Sequence, residues 1–401
     1  MKTIRLAAVL AVILLTACTN ISRTPASPDD IDTSAPYGIP GVLRVWGDAV
    51  AVDQLDAIRR SLIVRAQKLH AAELEAGLPI TETILALSGG GADGAFGAGI
   101  LAGWTEHGDR PAFDVVSGVS TGAIIGLFAF LGPEYDDDLR RFYTEYSTDQ
   151  LLEPSPLAAL TGGASLSDSA GYNALIDETI TPDLVDAIAR QADAGRILLI
   201  GTTNLDYARP VIWNVTEIAR SRHPAAITLI RDLIRASSAI PALFPPVLIP
   251  TISPDGEVRD ELHVDGGATQ QVMVFSPELP IKDVDRALGA EIDRTIFVIM
   301  NNKLEKSYEP VDVGVLSIAS KAVSSLIGGS GTGDVYKIYA IAVRDGIDLR
   351  LLWVPRSFDV EAAEPFDPAY MTALYTLGRS LGAEGAPWQD RPPNFTLNAG
   401  L

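Results

Sequence analysis

Twice before residue 132 the chain runs a short apolar stretch straight into a glycine-rich turn and then into a helical pattern. Thr83–Ser88 (TILALS) leads into Gly89-Gly90-Gly91 and the helical pattern of Ala95–Glu106, and Phe113–Val119 leads into Ser120-Thr121-Gly122 and the apolar helix Thr121–Leu131. Short apolar runs bounded by turn residues read as strands buried on both faces, and strand–helix alternation builds a mostly parallel sheet with helices on its faces. The rest continues the pattern. Strands are expected at Arg196–Thr203, Pro210–Val215, Glu261–Val264, Thr295–Met300 and Asp348–Val354. Helices are expected at Asp53–Glu75, Asp136–Tyr146, Tyr172–Ile180, Pro182–Ala194, Ala226–Ser237, Val313–Leu326 and Pro368–Leu381. The Pro-, Gly- and Ser-rich stretch Ser147–Gly171 reads as an insertion or lid. One large α/β domain is the reading.

Composition narrows the partners. At 401 residues and 47% hydrophobic, the chain can bury a core that needs neither disulfides nor a structural metal. Its one cysteine, Cys18, rules out disulfide frameworks and cysteine-based zinc sites. With 31 Lys+Arg against 51 Asp+Glu and no basic run, nucleic acid is excluded as a partner, and an anionic membrane would repel the bulk charge. Attachment to a membrane must come from something else.

The N-terminus supplies it. Lys2 and Arg5 precede the apolar run Leu6–Leu14, too short for a span of about 20 residues and of the form of a cleaved export signal. Leu15-Thr16-Ala17-Cys18 then resembles the lipobox of bacterial lipoproteins, in which the cysteine is acylated and becomes the mature amino terminus. The expected organisation is a signal peptide at 1–17, acylated Cys18 and a flexible tether at 18–41, an N-terminal helical extension at 42–82, and a catalytic domain with its C-terminal extension at 83–401. The expected location is the bacterial cell envelope, lipid-anchored. Thr19 after the cysteine points to the outer membrane by analogy with enterobacterial sorting.

Two glycine blocks carry the chemistry. Gly118-Val119-Ser120-Thr121-Gly122 between a strand and a helix fits the nucleophile elbow, a turn so sharp that only small residues flank the serine. Upstream, Gly89, Gly91 and Gly94 satisfy a dinucleotide fingerprint, but the second strand ends in Ser117-Gly118 without the acid that would hold a ribose. Beside the elbow, the same glycine N–H groups read better as an oxyanion hole. A base is needed. Of His70, His107, His223 and His263, the last lies in Glu261-Leu262-His263-Val264-Asp265-Gly266-Gly267, and spacing leaves both His263 and Asp265 open as the base.

Taken together, Gly-Gly-Gly-x-x-Gly, G-x-S-x-G, Ala236-Ser237-Ser238-Ala239-Ile240-Pro241 and Asp265-Gly266-Gly267 resemble the patatin-like phospholipases over roughly residues 84–275. That resemblance implies a three-layer α/β/α fold and a lipid acyl hydrolase with a Ser–Asp dyad. Ser120 is then the nucleophile and Asp265 the base, and the glycine turn Gly89, Gly90, Gly91 and Gly94 forms the oxyanion hole, with Gly90 and Gly91 as donors and Gly94 shaping it. It implies an ester lipid substrate, no cofactor and no metal. Asp93 stands where the family usually has a basic residue, which weakens an anionic phospholipid as substrate and leaves neutral ester lipids open. A catalytically silent lipoprotein and a dinucleotide-dependent oxidoreductase are the alternatives. Three further stretches read as structural: Ala239–Pro250 as core packing around a Pro-stiffened loop rather than an acyl grip, Gly328–Gly333 as a hinge, and Asp136, Asp137 and Asp138 as a solvated helix start rather than a metal site.

Overall fold

The computed structural model describes residues 23–28, 31–50, 52–154, 165, 167–241, 243–279, 281–305, 308, 310–393 and 395. The signal peptide, Cys18 and most of the Pro/Gly-rich part of the expected insertion lie outside the described residues.

The strands are β1 Ala35–Pro36, β2 Arg44–Trp46, β3 Ile80–Leu87, β4 Val115–Val119, β5 Glu153–Pro154, β6 Ser167–Asp168, β7 Ile197–Asn204, β8 Arg209–Asn214, β9 Val247–Ile252, β10 Val258–Asp265, β11 Ile292–Met300 and β12 Asp348–Trp353. The helices are α1 Val52–Leu69, α2 Ala71–Ala76, α3 Gly94–His107, α4 Thr121–Leu131, α5 Asp136–Thr144, α6 Thr148–Leu151, α7 Ala170–Thr179, α8 Pro182–Asp193, α9 Val215–Arg220, α10 Ala226–Ser237, α11 Ile281–Leu288, α12 Val315–Asp345 and α13 Pro368–Ala383.

The sheet runs β1-β9-β10-β7-β4-β3-β11-β12, with β8 pairing β7 and β2 pairing β8. From β7 to β12 every pairing is parallel. Alternate residues of these strands serve the two faces. Leu85, Leu87, Val116, Leu198 and Ile200 enter one core with α3, α4, α8 and α10, while Ile84, Ala86, Val115, Ile296 and Val298 enter another with Val335, Ile338 and Ala342 of α12. The fold is therefore a three-layer α/β/α sandwich. Glycines bring α3 and α13 close, since a Cβ on Gly99 would lie 2.2 Å from the Tyr375 carbonyl oxygen. That close packing holds α13 beside the turn that opens α3.

Several elements depart from the sequence reading. The sheet has an antiparallel flank, β7–β10–β9–β1 and β7–β8–β2, beside its parallel centre. β9 falls within and just beyond Ala239–Pro250, where the prolines conceal a strand. Residues 19–41, expected as a tether without a core, contain β1 and the buried Ile31 and Ile39, so the last part of that stretch is sheet edge. Proline is tolerated at such an edge because no ladder hydrogen bond is lost there. Residues 42–82 likewise contribute β2 and the start of β3. The single helix over Asp53–Glu75 breaks at His70. Finally, Gly328–Gly333 is no hinge: α12 runs through it unbroken to Asp345. Interior glycine costs a helix about 1 kcal/mol each. Burial of Val335, Ile338 and Ala342 beyond the glycines offsets this.

Candidate active site

The parallel strands β3, β4 and β11 bring their carboxyl ends to one edge, and antiparallel β10 sets its last residue, Asp265, opposite Thr202 of β7. Ser120 follows β4 with φ 55° and ψ −126°, a conformation that costs an L-residue energy and persists only where its surroundings enforce it. Three restraints do so here. A Cβ on Gly118 would lie 2.1 Å from the Gly122 carbonyl oxygen, and one on Gly122 would lie 2.4 Å from that of Leu87, so both flanks must be glycine. The third is Ser237 at the end of α10, whose Oγ donates to the Gly201 carbonyl (2.6 Å) and accepts the Ser120 N–H (2.8 Å).

Across the edge, β10 ends in Asp265. The Ser120 hydroxyl donates to Asp265 Oδ2 at 2.7 Å, over a sequence separation of 145. Asp265 Oδ1 accepts the Gly267 N–H at 2.7 Å. Both side chains are almost fully buried. Burial pushes the Asp265 carboxyl up to about 6, with the Ser120 and Gly267 hydrogen bonds partly offsetting it. Among the described residues no cation pairs with it.

His263, the other candidate on spacing, faces different partners. Its Nδ1 meets Thr202 Oγ1 at 2.9 Å and its Nε2 meets Glu261 Oε2 at 3.3 Å. Burial lowers its pKa, with Glu261 working the other way, and the ring sits edge-on to Trp213. No hydrogen bond joins it to Ser120.

The glycine turn after β3 divides its labour. Gly89 is not a free donor, because its N–H is committed to the Gln271 carbonyl at 3.0 Å. Nor is Gly94, whose N–H closes the turn onto Gly91 and Ala92. Its part is spatial, since a Cβ there would lie 2.1 Å from Thr121 Oγ1. Among the described residues nothing takes the N–H groups of Gly90 and Gly91, and Gly91 holds φ +58°. A Cβ on Gly266 would lie 2.6 Å from the Gly201 carbonyl oxygen, and one on Gly267 would meet the end of the Gln271 side chain at 2.3 Å.

Two positioning residues had no role in the sequence reading. Asn301, just after β11, donates from Nδ2 to the Ser88 carbonyl (2.8 Å) and from its N–H to Ser88 Oγ (2.8 Å), and accepts the Gly97 N–H (3.1 Å). It stitches the turn at both ends. Its only sequence signal was its place at a strand end. Ser237 belonged to a recognised block, but without an assigned task.

Asp93 is held by α13. The Tyr370 hydroxyl of α13 donates to its Oδ1 at 2.5 Å. Burial raises the Asp93 carboxyl to about 6, against the pull of Tyr370 and Lys303. Asp136 is tied to Arg110 (2.7 Å) and Thr105, and among the described residues no group of three His, Cys, Asp or Glu side chains could hold a metal.

Beside Ser120 lies an apolar cavity of about 40 Å³, walled by Ile124, Phe142, Tyr172, Ile240, Phe244 and Met371. Ile240 and Phe244 come from the stretch read as core packing, so part of it lines the site. A cavity of about 480 Å³ is found elsewhere, under α1 against the amino-terminal halves of β3 and β4, and Ser120 is not among its walls.

Residues 85–277 match the family described as patatin-like phospholipase. Among curated proteins the chain is similar to Patatin-like protein 2 of Oryza sativa subsp. indica and of subsp. japonica, each 26% identical over 202 residues, 46% of this chain and 49% of the relative. The chain thus spans about half the length of the curated relatives it matches. Among solved structures, VipD from Legionella pneumophila aligns over 77% of this chain and 67% of its own at 12% identity and a TM-score of 0.36. Human GIVD cytosolic phospholipase A2 aligns over 71% and 51% at 12% identity and a TM-score of 0.29.

Proposed function

We propose that this chain, with its patatin-like phospholipase domain, is a lipid acyl hydrolase that cleaves carboxylic esters through Ser120 and Asp265. The observation that carries the reading is the 2.7 Å hydrogen bond from the serine hydroxyl to a buried carboxylate without a cation. Asp265 takes the hydroxyl proton as Ser120 Oγ attacks the ester carbonyl. The N–H groups of Gly90 and Gly91 receive the developing oxyanion, and the proton passes to the departing alcohol. Water, giving its proton to the same carboxylate, then attacks the acyl-serine, and the fatty acid leaves as Ser120 recovers its hydroxyl.

An acid with a pKa near 3.9 is a feeble base at neutral pH, and burial corrects this by bringing Asp265 towards the working range. The apolar walls favour an acyl chain. At about 40 Å³ the cavity has room for little beyond ordered water, so the chain enters by parting the walls. Asp93, occupied by Tyr370, offers no cation to a phosphate headgroup and fits neutral ester lipids better.

Ester hydrolysis by purified protein tests this. Ser120→Ala and Asp265→Asn should each abolish it with circular dichroism unchanged, whereas His263→Ala should retain it in whatever fraction folds. Activity surviving in Ser120→Ala would overturn the dyad. The same proposal places the protein in the bacterial envelope, anchored through acylated Cys18. Labelling with radioactive palmitate that persists in Cys18→Ser would overturn that part.

A further inference from the structure

The two halves of α12 differ in burial. From Gly331 onward the helix packs: Gly331, Val335, Ile338, Ile341, Ala342 and Asp345 are buried. Before Gly331, none of the α12 residues whose burial is described is buried, and Ile318 and Leu326 are 53% and 74% exposed. Val313, just ahead of the helix, is 98% exposed.

Its direction says where this half points. Near Gly331 the helix meets the strand ends that carry the site: a Cβ there would lie 3.3 Å from Gln271 Cβ and 3.5 Å from Met300 Cε, the last residue of β11. Asp334 accepts the Gln271 N–H at 2.7 Å. Its far end hands over to β12, whose Asp348 pairs with Thr295 near the start of β11. The helix therefore runs against the strands, and residues 315–330 continue past their carboxyl edge by about 24 Å at 1.5 Å per residue. Gln271 links it to the site, since its carbonyl accepts the Gly89 N–H and a Cβ on Gly89 would touch both Gln271 and Ser120.

Charge narrows the occupant. Between Val313 and Gly333 the only charged residue is Lys321, in a chain that is 20% charged with a net charge of −20. A solvated face would carry charges of both signs, and an exposed apolar stretch marks an interaction surface. An uncharged, apolar projection at the edge that holds the nucleophile suits a lipid surface, above all a zwitterionic one that does not repel the acidic body.

We infer that residues 315–330 of α12 lay the Ser120 edge of the molecule onto a lipid surface. The purpose of this contact rests on the hydrolase reading, but its test does not. Vesicle binding is measured on the full chain carrying Cys18→Ser and Ser120→Ala, so that neither an anchor nor turnover contributes, using phosphatidylcholine vesicles in a sedimentation assay. Adding Leu326→Glu should weaken binding about tenfold or more, the loss of one buried leucine. Ile318→Ser with Leu326→Ser should weaken it by less. With Ser120 restored, the same variants should hydrolyse a monomeric short-chain ester as the parent does.

Unchanged vesicle binding in Leu326→Glu overturns the inference. So does loss of soluble-ester hydrolysis alongside loss of binding, which would make the half-helix structural. A parent that sediments as a dimer and becomes a monomer in Leu326→Glu assigns the face to a second copy instead. If no ester is cleaved yet binding still depends on Leu326, the hydrolase reading falls and the lipid contact stands.

Discussion

Two buried carboxylates on this sheet show how position decides chemistry. Glu82 lies towards the amino end of β3, and Asp265 closes β10 at the opposite edge. Burial alone would raise Glu82, but the charges of Arg65 and Arg294, each 2.6 Å away, hold it down at about 2. Burial raises Asp265 in the same way, and there only a serine hydroxyl and one backbone N–H oppose it, leaving it at about 6. Glu82 is a fixed anion in a closed ion network that also takes in Asp285. Asp265 can accept a proton at neutral pH. Equal burial thus yields a structural anchor at one end of the sheet and, at the other, a carboxylate suited to the base role we propose for it, and the partners make the difference.

Perturbing the two should therefore separate activity from stability. The largest effect belongs to the site: Ser120→Ala or Asp265→Asn should lower kcat by about a thousandfold or more. Asp265→Asn should at the same time leave Tm unchanged or raise it at pH 8, because an unpaired buried charge is removed. A fall of several degrees would break the contrast. Next comes Glu82→Gln, which takes the ion-pair partner from Arg65 and leaves Arg294 to Asp285, and should cost about 3–5 kcal/mol in denaturant unfolding, with specific activity of the folded fraction preserved.

The pH responses should run in opposite senses. Asp265, raised on folding, adds stability that is complete below its unfolded value near 3.9 and is lost as pH rises through about 6. Glu82, depressed on folding, adds stability above its unfolded value near 4.3 that is lost as pH falls through about 2. Activity needs ionised Asp265, so kcat/KM should climb with pH through about 6, and a profile flat from pH 5 to 8 would contradict the assignment.

Smaller effects concern geometry. Ser237→Ala removes the acceptor that holds the Ser120 N–H and should lower kcat about ten- to a hundredfold with KM little changed. Asp93→Asn keeps the Tyr370 contact and should alter hydrolysis of a neutral ester by less than about threefold. A larger loss would make Asp93 part of the chemistry.

What the sequence revealed follows the same logic. Gly118, Gly122, Gly90 and Gly266 were legible because each sits where a Cβ would strike backbone, a constraint that leaves a local mark. Asp265 was legible from the Asp-Gly-Gly strand end and the family resemblance, whereas spacing alone left His263, two residues earlier, equal to it; the contacts of His263 with Thr202 and Glu261 set it apart. Ser237 and Asn301 act through pairings 117 and 213 residues away, which no local pattern records. β9 was hidden by its prolines and the length of α12 by its glycines. In both cases tertiary packing outweighs the propensity of the individual residue.

The central claim, a serine hydroxyl activated by a buried carboxylate, is tested most directly by the rate at which a fluorophosphonate probe labels the protein between pH 5 and 8, with the modified peptide identified by mass spectrometry. Labelling should fall on Ser120, accelerate as pH passes about 6, and drop to background in folded Asp265→Asn. Labelling elsewhere, or an Asp265→Asn rate equal to that of the parent, would contradict it.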